Sequence, residues 1–248
     1  MQYAFLASYG LIIFALWYSH KEKLGLEQTI FKNSLLAMIQ LGVLGYALLY
    51  LFKIENPLPL LDILCGMILF GAYTAKNRSP LGAKGFTIAL ASLSCSTGLV
   101  YLSMMAVGVI HLVPHEMIPI GGMIIGNALN VYTQTVERLK GEVGNTLDMI
   151  EGRIALGATL KEALAHASKK SVKSAMIPTL NMLQTVGIIH IPGITVGMLL
   201  AGANPLSAIS YQLAIMYMMV AVSLLTGLFT TRFAYKAIIP SLQDEKKG

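Results

Sequence analysis

Asn127, Asn130 and Gln134 lie in a run of residues that is otherwise apolar. Their i, i+3 and i+7 spacing places them on one stripe of a helix. Each carboxamide offers one acceptor oxygen and two donor hydrogens. Such a stripe has two uses inside a membrane. It can bond a neighbouring helix, worth about 1 kcal/mol per bond, or it can line a water-filled path and give a solute transient contacts. Asn181 and Gln184 add carboxamides further along the chain, and His190 adds an imidazole able to ligate a metal or carry a proton. Asp62 is the carboxylate set well inside an apolar run; it is a candidate metal ligand together with His190, and is also placed to cap a helix start after Pro57 and Pro59. His111, His115 and Glu116 form a further cluster, but Pro114 interrupts the spacing that would put both imidazoles on one helical face.

The elements that must position these groups follow from composition. The 248 residues are 55% hydrophobic and 12% charged, with a mean hydropathy of +0.67; soluble domains are about 25% charged. The apolar runs are about 20 residues long, the length of membrane-crossing helices rather than of barrel strands. The fold class is therefore all-α, a polytopic membrane protein. Seven spans are expected: Tyr3–Tyr18, Ser34–Phe52, Pro59–Ala75, Gly85–Leu112, Met117–Gln134, Ala175–Ala203 and Ala208–Phe233. With that count Lys53 is the one of 18 lysines and arginines that does not fall on the same set of alternate loops. The positive-inside rule makes that set cytoplasmic, with the N-terminus outside and the C-terminus inside. The net charge of +6 thus reads as topology, and no nucleic-acid partner is expected. The first span has no basic n-region and no small-residue cleavage site, so it reads as a retained span. Cys65 and Cys95 fall within spans and are expected to be buried free thiols.

Two spans carry small-residue faces. Gly122 and Gly126 are four apart, as are Gly193 and Gly197, and such faces let a second helix approach closely. Pro192 sits in the middle of the sixth expected span. It removes the helical donor for the Ile188 carbonyl, and broken helices at membrane depth occur where protein or a cavity covers them.

The segment of about 136–174 is the largest extramembrane piece. Val143, Leu147, Ile150 and Ile154 recur at helical spacing. Thr159 and Glu162 form a T-x-x-E capping box that opens a helix after Gly157. That helix, Thr159–Lys173, has a small apolar face and a basic one carrying Lys161, Lys169, Lys170 and Lys173. It can lie on anionic lipid or dock a cytoplasmic partner.

The motifs "IPIGGMIIGNALN" (118–130), "EGRIALGAT" (151–159) and "IPGITVGMLLAGANPLSAISYQ" (191–212) resemble those of the FetB-type permeases. These are membrane subunits of ABC transporters described as iron exporters, with plant aluminium-tolerance relatives. The resemblance implies a single permease domain over 1–248 in a bacterial inner (cell) membrane, embedded in the lipid bilayer as a homodimer packed through the glycine faces. It also implies a separate ATPase subunit that holds ATP and Mg and docks on Glu151, Gly157, Ala158, Thr159 and Glu162. No cofactor is expected on this chain, and the chain itself is not expected to be an enzyme. The cargo implied is iron or another metal ion. A carboxylate-poor, amide-rich set of spans suits an organic solute such as a nucleotide sugar equally well.

The chain carries no G-x-x-x-x-G-K-[ST], no H-E-x-x-H and no G-x-S-x-G motif. It lacks the paired carboxylates or histidine boxes of a membrane-embedded enzyme, and a chain of embedded acids for a proton-coupled carrier.

Overall fold

The computed structural model describes residues 2–53, 58–79 and 81–245, which form α-helices joined by short turns. Pro57, Lys246 and Lys247 lie outside the described residues. The helices are α1 (Gln2–Lys21), α2 (Glu27–Leu51), α3 (Leu58–Arg78), α4 (Ala83–Ala106), α5 (Pro114–Asn145), α6 (Leu147–Ala155), α7 (Leu160–Ala163), α8 (Ala165–Thr185), α9 (Gly193–Leu200) and α10 (Pro205–Glu245). Among the described residues four stretches are long and apolar enough to cross a membrane: Glu27–Leu51, Leu58–Arg78, Lys84–Ala106 and Pro205–Ile239. α9 has only 8 residues, and α5 and α8 carry the amides, glycines and lysines that lower their hydropathy.

The chain divides into two compact units, Met1–Glu55 and Asn56–Gly248. In the first, α1 and α2 pack on each other across a turn that uses positive φ at Lys23 and Gly25. Ser19 donates a 3.0 Å hydrogen bond to Glu27 at that turn. α2 has no buried residue.

In the second unit, α5 is the central helix and touches α3, α4, α8 and α10. Its buried face includes Met117, Ile120, Ile124, Ala128, Val131, Tyr132, Leu139 and Val143, a stripe at helical spacing. Two tyrosines fix its register against α4. Tyr101 donates to the Met117 carbonyl at 2.6 Å and Tyr132 to the Gly85 carbonyl at 2.9 Å. α5 starts with Pro114 in its first turn, where the missing N–H is harmless.

Several boundaries differ from the expected ones. α4 stops at Ala106 rather than Leu112, because Gly108 adopts φ +75° and closes the helix end with bonds from Gly108 to Met105 and from Val109 to Met104. α5 runs eleven residues beyond Gln134, to Asn145. At 1.5 Å per residue its 32 residues extend about 48 Å, and the 41 of α10 about 60 Å, against a hydrocarbon core of about 30 Å. Asp62 lies one turn inside α3 and is exposed, so it does not cap the described helix start. Cys65 and Cys95 are free but exposed on the outside of the fold instead of buried. A thiol is apolar enough to face lipid, so membrane depth did not imply burial.

Candidate functional site

The polar centre of the second unit forms where α5, α8 and α10 meet. Asn127 donates its carboxamide N–H groups to Ser223 Oγ at 2.7 Å and to the Met219 carbonyl at 3.2 Å. Ser223 Oγ also lies 3.0 Å from Thr179 Oγ1, and itself donates to the Met219 carbonyl at 2.7 Å. One side chain from each of three helices thus meets around one hydroxyl. Of the expected stripe, only Asn127 points into this network. Asn130 is exposed and Gln134 half-buried, while Asn181 and His190 are exposed.

A second set of groups was not expected from the amides. Ser223, Thr226 and Thr230 repeat the i, i+3, i+7 spacing on α10, and all three are buried. Thr226 donates to Ser96 of α4 at 2.8 Å. Ser92, Thr135 and Thr230 are fully buried, and among the described residues their hydroxyls have no partner. Each is one or two turns further along α4, α5 or α10 from a bonded member of the network. The readable signal was the hydroxyl spacing on α10, which average hydropathy conceals because Ser and Thr weigh close to neutral.

Asn127→Leu is expected to cost about 1 kcal/mol of stability, because Ser223 keeps its bonds to Thr179 and Met219. If the network faces cargo, transport falls at least several-fold. Thermal unfolding alongside a vesicle transport assay checks this, and loss of folding instead would assign Asn127 a purely structural role.

The glycines separate into two groups. A Cβ at Gly121 would lie 2.4 Å from Leu64 Cδ2 and 3.1 Å from the Tyr101 hydroxyl, and one at Gly71 3.2 Å from Leu93. These positions pack α3 and α4 against α5. Of the expected face, Gly122 would make only ordinary contact with Met67, and Gly126, Gly193 and Gly197 have nothing within 4 Å of such a Cβ.

The sixth expected span is interrupted. α8 ends at Thr185, and the 186–192 segment is non-helical. The Thr185 carbonyl accepts from the N–H groups of Ile188, Ile189 and His190, while Gly187, at φ +85°, donates to the His190 carbonyl at 2.9 Å. Pro192 then serves as the extended residue before α9. The break therefore occupies a short segment before Pro192 and is wider than a kink at one carbonyl. Among the described residues no group of three His, Cys, Asp or Glu could hold a metal. His111 instead bonds Glu116, through its backbone N–H at 2.8 Å and Nδ1 at 3.1 Å.

Between α5 and α8 stands a compact connector. α6 ends in a Schellman motif: Gly157, at φ +93°, donates to the Ile154 carbonyl and Ala158 to that of Arg153. Thr159 and Glu162 form the reciprocal capping box at the start of α7. The helix opened by that cap is only Leu160–Ala163; the chain turns at Leu164, and Lys169, Lys170 and Lys173 belong to α8. Lys170 pairs with Glu142 of α5 at 2.8 Å. Ile150, Ala163 and Leu164 are buried and anchor the connector, whereas Leu156 at its tip is 91% exposed. Glu151, Gly157 and Thr159 are also exposed and Ala158 half-buried.

The hydroxyl and N–H of Thr159 donate to Glu162 at 2.7 and 2.8 Å and hold its carboxyl below its ordinary value. A depressed carboxyl contributes stability at and above its ordinary pKa and loses it as pH falls through the lowered one. The cap is thus expected to be intact at neutral and mildly acidic pH. It should open only below the usual glutamate range, as followed by the Thr159 amide resonance during acid titration.

The family described as "Uncharacterised protein family (UPF0014)" matches residues 2–239. The Escherichia coli (strain K12) protein named "Probable iron export permease protein FetB" is 32% identical over 226 residues, 91% of this chain and 87% of that protein. "UPF0014 membrane protein STAR2" of Oryza sativa subsp. japonica is 30% identical, over 93% of this chain and 81% of its own length. "Protein ALUMINUM SENSITIVE 3" of Arabidopsis thaliana is also 30% identical, over 91% and 82%. No solved structure matches.

Proposed function

The chain belongs to the UPF0014 family, and from that premise we propose that it is the membrane-spanning permease subunit of an ABC transporter, driven by a separate cytoplasmic ATPase that carries ATP and Mg. It works as a homodimer in the bacterial inner membrane and exports iron or another metal ion. The four apolar helices, together with α1, α5 and the interrupted α8–α9 pair, make seven spans with the N-terminus outside and the C-terminus in the cytoplasm. Gly126, Gly193 and Gly197, at which an added Cβ would meet nothing within 4 Å among the described residues, face the second copy.

The observation that carries this reading is the connector. A large apolar side chain, Leu156, is 91% exposed at the tip of a capped element outside the spans. A partner that covers it can pass motion into α5 and α8, the helices at its two ends. Spans 5 and 6 then shift against each other, opening the path alternately to each side, and Asn127, Asn130, Gln134, Asn181 and His190 give the cargo weak, multiple contacts that allow release.

The cargo assignment rests on similarity to a protein named as an iron export permease. An organic solute is the second reading, favoured because no group of three metal-ligating side chains occurs among the described residues. His190 and Asp62 remain single candidate ligands. The test is ATP hydrolysis by the permease reconstituted with its candidate ATPase and titrated with ferrous iron, other metals and nucleotide sugars. Stimulation by a metal, reduced on His190→Ala, supports the first reading and stimulation by a sugar nucleotide the second. No association with an ATPase overturns both.

A further inference from the structure

We propose that the helix break and α9 build, with α10, a binding site for a small uncharged amphiphile bearing a hydroxyl group. The inference goes beyond the permease reading and needs neither an ATPase nor transport. The cavity has a volume of about 360 Å³, within the roughly 300–1,000 Å³ range of small-molecule sites. Val186, Ile191, Leu199, Leu213 and Met216 supply apolar walls. Two polar side chains, Thr195 of α9 and Gln212 of α10, also line it; each is 6% exposed, and the Thr195 hydroxyl donates to Gln212 Oε1 at 3.3 Å.

That pair determines the chemistry of the ligand. Thr195 engages the carboxamide oxygen, and the amide's other polar atom has no partner among the described residues. That atom is not sealed in the packing but accessible from the cavity that Gln212 lines, where a ligand can bond it. A hydroxyl group both donates and accepts, so it satisfies Gln212 whichever way the carboxamide is turned. No charged side chain lines the cavity. An ionic head group would be desolvated there without compensation, and a metal ion would find neither carboxylate nor imidazole. The backbone is consistent with this assignment, since non-helical chain at membrane depth is tolerated where it lines a cavity. The volume suits a single chain or ring rather than a whole phospholipid.

The probe is 3-azioctanol, photolysed with the intact permease in phospholipid nanodiscs, with adducts mapped by mass spectrometry. We expect saturable labelling confined to 186–216. Excess 1-octanol should displace at least nine-tenths of it, whereas octane at the same membrane concentration should displace much less. Displacement by dioctanoylglycerol as effective as by 1-octanol would assign the site to a lipid-derived alcohol, and weaker displacement to a free amphiphile. Gln212→Leu should abolish the preference for octanol over octane while labelling by the diazirine analogue without a hydroxyl persists. Three outcomes would overturn the proposal: labelling spread over outward residues such as Leu102 and Leu228, equal displacement by octanol and octane in the unmodified protein, or Leu199→Cys crosslinking between two copies that exclude the probe. The octanol and octane comparison requires no variant, so a misfolded mutant cannot decide the result.

Discussion

Gly157→Val is expected to lower the proposed ATPase-driven transport more than tenfold while leaving membrane insertion and the fold of the second unit intact. An added Cβ meets no steric obstacle, since nothing lies within 4 Å of it among the described residues. Its cost is in the backbone. Gly157 holds φ +93°, a region that L-residues enter at about 1–3 kcal/mol and β-branched residues resist most. The easiest relief is to give up the two bonds that close α6, from Gly157 to Ile154 and from Ala158 to Arg153. Leu156 then loses its fixed position, and the cap at Thr159 no longer follows α6 at a set angle. Thr159→Ala should act in the same direction but less strongly, because a lost N-cap costs about 1 kcal/mol and leaves the Schellman closure in place. Co-purification with the proposed ATPase and hydrolysis in reconstituted vesicles measure both. Full transport by Gly157→Val would show that force enters the permease elsewhere.

Gly121→Val should produce the largest loss of stability, with the folded protein recovered at a small fraction of the normal yield. A Cβ at this position lies 2.4 Å from Leu64 Cδ2 and 3.1 Å from the Tyr101 hydroxyl. The contact is with the far end of the Leu64 side chain, which is buried in α3 and must change rotamer to make way. Overpacking of a buried helix contact costs about 1–3 kcal/mol. Displacing Tyr101 also breaks its bond to the Met117 carbonyl, and orphaning a buried polar group adds about 1–3 kcal/mol. Gly126→Val is the contrasting variant. An added Cβ there meets nothing within 4 Å among the described residues, so it should leave the monomer's thermal unfolding nearly unchanged and weaken the proposed homodimer. Unfolding in detergent and light scattering separate the two effects. Equal stability of the two variants would mean that α3 and α5 do not approach as closely as Leu64 and Gly121 indicate.

The physical difference between these glycines explains how much was legible in advance. The all-helical class, the apolar runs, the capping box at Thr159 and Glu162, and the break near Pro192 follow from local chemistry: helix length against bilayer thickness, a side chain reaching back to its own helix end, and a residue with no N–H. Each requires only near neighbours in sequence. The helix end at Gly108 was legible in the same way, as a glycine after the last helical turn, although apolar residues beyond it extended the expected span.

Tertiary structure decided which side of each helix faces inward. In a soluble helix the outward face is polar, and hydropathy marks it. Next to lipid both faces are apolar, so the pattern that separates core from surface is absent. That is why Gly121 makes the tight contact with α3 while Gly122 makes only an ordinary one, why Cys65 and Cys95 are exposed, and why Asn127 joins Ser223 and Thr179 while Asn130 turns away. Composition determined that this chain is built of apolar, membrane-length helices that carry a few polar groups. Only the packing of α4, α5, α8 and α10 decided which of those groups meet, because a contact across three helices depends on their rotation about their own axes, which equally apolar faces do not encode.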